Sequence, residues 1–87
     1  MPYIKKSDRE RFDATFRALH KAGKLETPGE LNYLFTIIIN HYLIENGLCY
    51  QSFNDCLGAL EGCKLELYRR DIAPYEDTKI RDNGDVK

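Results

Sequence analysis

The residues best suited to chemistry crowd the last quarter of the chain. Tyr68, Arg69 and Arg70 are consecutive, and Tyr75, Lys79 and Asn83 follow at intervals of four beyond Pro74. Guanidinium forks bind phosphate or carboxylate through paired N–H bonds, and aromatic faces attract flat or cationic groups. This set predicts a binding site for an anionic small molecule such as a nucleotide. Two ordinary uses compete with it. Glu66 stands four residues before Arg70, the spacing of an intrahelical ion pair, and Tyr75 could be a buried anchor for the tail.

A second constellation is Asn32, Tyr33, Thr36 and Asn40. Asn32, Thr36 and Asn40 are four apart and share one strip of an otherwise apolar helix. Buried polar groups need partners, so the strip is expected at an interface: a facing helix, a second copy of the chain or a small molecule.

Other chemistries find no frame. His20 and His41 have no metal-ligand spacing. Cys49, Cys56 and Cys63 are odd in number, and residues seven apart on a helix stand about 10 Å apart, too far for a disulfide. They are expected as buried small hydrophobes of a reducing compartment. Asp82-Asn83-Gly84-Asp85 lacks the closing Glu of a calcium loop. There is no nucleophile elbow, glycine-rich phosphate loop or zinc-protease helix. Neither an enzyme nor a cofactor is expected.

The elements that would position these residues are helices. Ser7 and Glu10 have capping-box spacing, and Phe12, Phe16 and Leu19 recur at helical intervals. The first helix is predicted from Asp8 to about Ala22, with Gly23 as its stop. Thr27, Pro28 and Glu30 open a second helix through a second capping box, which continues over Leu31 to Glu45 and ends at Asn46-Gly47. Ser52 or Asn54 is expected to cap a third, with Phe53, Cys56, Leu57, Leu60, Cys63 and Leu67 on one stripe. Gly58, Ala59 and Gly62 offer a surface for close backbone approach. Pro74 should interrupt this helix near Ala73. Residues 75–82 resume as a short helix with an Asp77–Arg81 ion pair, and Asn83-Gly84 ends it. The predicted fold is a single all-α domain: three antiparallel helices, the third kinked at proline, and a short helical tail.

Eighty-seven residues leave a lone core marginal. The second helix is apolar around nearly its whole circumference, through Leu34, Phe35, Ile37, Ile38, Ile39, Tyr42, Leu43 and Ile44. A helix apolar on most faces must be covered on most faces. Its own neighbours can cover about half, so a homo-oligomer is expected. The longest apolar run, Leu34 to Ile39, is too short to span a bilayer.

Net charge is −1 but unevenly spread. Residues 1–24 hold seven bases and three acids, and the remainder holds six bases and eleven acids. Such a dipole suits head-to-tail self-contact or an anionic partner. The overall balance opposes strong nucleic-acid binding.

Several short motifs occur in order: Met1-Pro2-Tyr3-Ile4, Gly29-Glu30-Leu31-Asn32-Tyr33, Lys64-Leu65-Glu66-Leu67-Tyr68-Arg69-Arg70, Ala73-Pro74-Tyr75-Glu76-Asp77, and Lys79-Ile80-Arg81-Asp82-Asn83-Gly84-Asp85-Val86. With them the whole chain resembles a family of small uncharacterised proteins encoded by tailed phages and prophages. The resemblance implies a protein at work in a bacterial host cytoplasm and carries no activity. Residues 22–26 and 46–52 resemble that family's variable turns.

The leading expectation is a non-enzymatic oligomer that binds an anionic small molecule, by analogy with helical phage proteins that sequester nucleotide immune signals in an anti-defence role. The alternatives are an interaction module that caps a host or phage protein, and a DNA-associated accessory factor.

Overall fold

The structure, a computed structural model, describes residues 4–87. Every regular element among them is helical. The chain divides into two units, Met1–Ile38 and Ile39–Lys87, which are described separately. Met1-Pro2-Tyr3, part of the first resemblance motif, lies outside the described residues.

The first unit begins with two 3-10 turns, Lys6–Asp8 and Glu10–Phe12, followed by α1, Asp13–Ala22. This corrects the expected start at Asp8. No side-chain cap forms at these starts, and the first α-helical turn waits until residue 13. Gly23 closes α1 with φ +97°, and its N–H bonds the His20 carbonyl. Glycine adopts that backbone without a Cβ penalty.

α2 runs over Pro28–Asn46 and crosses the division between the units. Its start is as expected. The Glu30 N–H donates to Thr27 Oγ1 at 3.1 Å, and the Thr27 N–H donates to Glu30 Oε1 at 3.1 Å. These reciprocal bonds satisfy donors that a helix N-terminus leaves unpaired.

In the second unit, α3 covers Tyr50–Leu67 and its N-cap residue is Cys49, not Ser52 or Asn54. Ser52 sits one turn in and is buried, its hydroxyl 3.5 Å from Cys49 Sγ and 3.4 Å from the Asn46 carbonyl oxygen, with one proton to share between them. The hydroxyl thus ties the first turn of α3 to the end of α2. The Tyr42 hydroxyl adds a second tie by donating to Asp55 Oδ2 at 3.0 Å.

At the expected proline break the backbone stays helical. A π-helical turn, Tyr68–Ile72, joins α3 to α4, Ala73–Asn83. The Ala73 N–H reaches back five residues to the Tyr68 carbonyl. Proline at 74 has no N–H, and its ring crowds the carbonyl four residues earlier. Widening one turn relieves both problems while the chain stays coiled. Gly84, with φ +84°, ends α4.

Among the described residues no large hydrophobic side chain is buried. The expected buried cysteines are therefore corrected: Cys49 and Cys63 are exposed and Cys56 is half-buried. All three are free thiols. His41 is exposed.

Candidate functional site

The C-terminal constellation lies on the π turn and α4. Its polar groups mostly find partners close by in the sequence. Arg70 Nε donates to Glu66 Oε2 at 2.7 Å, the intrahelical pairing weighed above. The Tyr68 hydroxyl lies 3.5 Å from Glu76 Oε2. Lys79 Nζ stands over the Tyr75 ring, 5.4 Å from its centroid, within cation–π range. Tyr75 is 62% exposed, so it is no buried anchor. Arg81 donates to Thr78 Oγ1 at 3.3 Å in place of the expected pairing with Asp77. Arg69 is exposed, with no hydrogen-bond or ion-pair partner among the described residues. Asn83 is exposed at the last position of α4.

The polar strip on α2 is exposed as well. Thr36 Oγ1 donates to the Asn32 backbone carbonyl at 2.9 Å, so it is satisfied within its own helix. Asn32 and Asn40 are exposed, and Tyr33 borders the groove described next.

Inside the first unit, α1 and the N-terminal half of α2 flank a groove of about 750 Å³. Ala18, Leu19 and Ala22 line it from α1, and Leu34, Phe35 and Ile38 from α2. Sequence reading found both apolar stripes but not this groove. The signal was the near-complete apolar girth of α2 beside small alanines on α1, and only the turn at 23–27 sets the space between them.

Two groups are electrostatically shifted. Asp55 accepts the Tyr42 hydroxyl's hydrogen bond and raises that phenol above its ordinary pKa. The Cys49 thiol is lowered, first by hydrogen bonding from the Ser52 side chain and then from the Ser52 backbone N–H. No group of three or more potential metal ligands exists among the described residues. No helix among them is long and apolar enough to cross a membrane.

These features define an all-helical protein whose large apolar side chains are largely uncovered. The chain belongs to the family described as Domain of unknown function (DUF6899), whose model matches residues 1–86. Neither curated proteins nor solved structures give a match.

Proposed function

We propose that the chain is a non-enzymatic interaction protein that works as a homo-oligomer. One observation carries this reading: α2 is apolar around most of its girth, and Ile38 and Ile44 on it are 62% and 80% exposed. A helix apolar on most faces must be covered on most faces, and a second copy is the cover proposed. Sedimentation velocity across the micromolar range tests the reading. A closed oligomer supports it, and a helical monomer throughout overturns it. A monomer that instead captures a host or phage protein would favour the capping role.

The π turn supports a second reading, a site for an anionic small molecule such as a nucleotide. π turns recur at functional sites, and this one holds Tyr68, Arg70 and the unpartnered Arg69, with Tyr75, Lys79 and Asn83 following along α4, the last about 20 Å further on by helical rise. In this reading the oligomer sequesters a nucleotide signal, with Asn32, Tyr33, Thr36 and Asn40 at the subunit contact. Charge weakens it, because residues 64–83 hold five bases and five acids. Thermal shift with cyclic nucleotides decides: stabilisation lost in Arg69→Ala, with helix content intact, supports the site.

The motif resemblance adds a setting, a phage- or prophage-encoded protein in a bacterial host cytoplasm. DNA association would appear as binding that falls steeply with salt, and the chain's net charge of −1 argues against it.

A further inference from the structure

We infer that the groove between α1 and α2 of one copy receives the apolar stripe of α3 from a second copy. This rests on the oligomeric reading above and names the surfaces that meet.

The stripe is Phe53, Leu57 and Leu60, at helical intervals along α3. Its orientation follows from the hydrogen bond between Tyr42 and Asp55. That bond turns the Asp55 side of α3 toward α2. At about 100° per residue, Leu57 and Leu60 lie nearly half a turn around the helix from Asp55. The stripe therefore points away from its nearest partner in the same unit, and Leu57 is 66% exposed.

The groove has the matching character. Ala18 and Ala22 keep its α1 wall low, and Leu19, Leu34 and Ile38 make it apolar. Its volume of about 750 Å³ takes several large side chains of a helix face. Charge selects the same pairing. The first unit has seven bases and five acids, net +2, and the second has six bases and nine acids, net −3. First unit against first unit, or second against second, would set like charges together, whereas first against second is attractive. A two-fold pair makes this contact twice, once in each direction.

The test uses the full chain with Leu19→Asp in the groove and Leu57→Asp on the stripe. Each buries a carboxylate in an apolar contact, at two symmetric places. Sedimentation velocity should show each variant alone associating about a hundredfold more weakly than wild type. An equimolar mixture should regain a heterodimer, because one copy keeps its groove and the other its stripe. Circular dichroism reads the same recovery as regained helix content if either variant unfolds alone. If Leu57→Asp keeps the wild-type oligomer, or the mixture regains neither mass nor helicity, the assignment of surfaces is wrong while the oligomeric reading stands. A monomeric wild type sinks both.

Discussion

α2 and the stretch from Glu66 to Arg81 present opposite balances. In the C-terminal stretch several polar side chains meet partners three to eight residues away, as Arg70 does with Glu66 and Tyr68 with Glu76. In α2 the capping box is equally local, but the apolar side chains that follow stay uncovered, Ile44 most of all. A helix satisfies hydrogen bonds within a turn or two of itself. It cannot hide its own circumference, so apolar burial has to come from elsewhere. The difference shows where free energy is still to be gained: on α2 and α3, not on the charged tail.

Substitutions sharpen that contrast in a definite order. Ile38→Asp should have the largest effect. At a truly solvent-exposed position it would change stability by less than about 0.5 kcal/mol, but at an interface it should cost several kcal/mol. Thermal melts and sedimentation run together would tell these apart, and an unchanged melt would break the comparison. Thr27→Ala should come next, lowering stability by about 1 kcal/mol in chemical denaturation, since two reciprocal bonds depend on the threonine and its partner Glu30. Arg70→Ala should lower it by no more than about 0.5 kcal/mol, because the ion pair is intrahelical and its arginine is half exposed. A loss as large as that of Thr27→Ala would mean the C-terminal stretch is structurally coupled after all.

The smallest effects concern the two shifted groups. The folded chain favours the neutral Tyr42 phenol, so this contribution to stability is present below about pH 10 and fades as pH rises through the raised folded value. Tyr42→Phe should flatten that alkaline decline, as followed by denaturation at several pH values. For Cys49 the sign reverses. The folded state favours the thiolate, so Ser52→Ala should slow its alkylation at neutral pH, as peptide mass spectrometry would show. Equal rates would mean that Ser52 leaves the thiol untouched.

Local chemistry made much of the fold legible. Thr27-Pro28-Gly29-Glu30 fixed the start of α2, and Gly23, Gly47 and Gly84 marked helix ends by their positive φ. The apolar girth of α2 was readable as a pattern, whereas the groove against α1 was not, because it depends on how a five-residue turn is built. The expected box at Ser7 and Glu10 failed for want of a second signal. Proline marked the right place near residue 74 but suggested a break. The outcome depended on whether the preceding turn could widen, and spacing alone carries no mark of that. The six ligand candidates proved to lie on one continuous helical stretch, yet their pairings with Glu66 and Glu76 involve the same acids that balance their charge.

The wide turn before Pro74 also sets a phase. Holding one extra residue, it offsets everything after it by about 100° from where an unbroken α-helix would carry it. Which flank shows Tyr75, Lys79 and Asn83 relative to Arg69 is thus decided by a single residue's worth of winding. Deleting one residue from 69–72 would remove the extra winding, press the proline ring against the carbonyl four residues earlier, and rotate that whole aromatic and cationic row to another side of the helix.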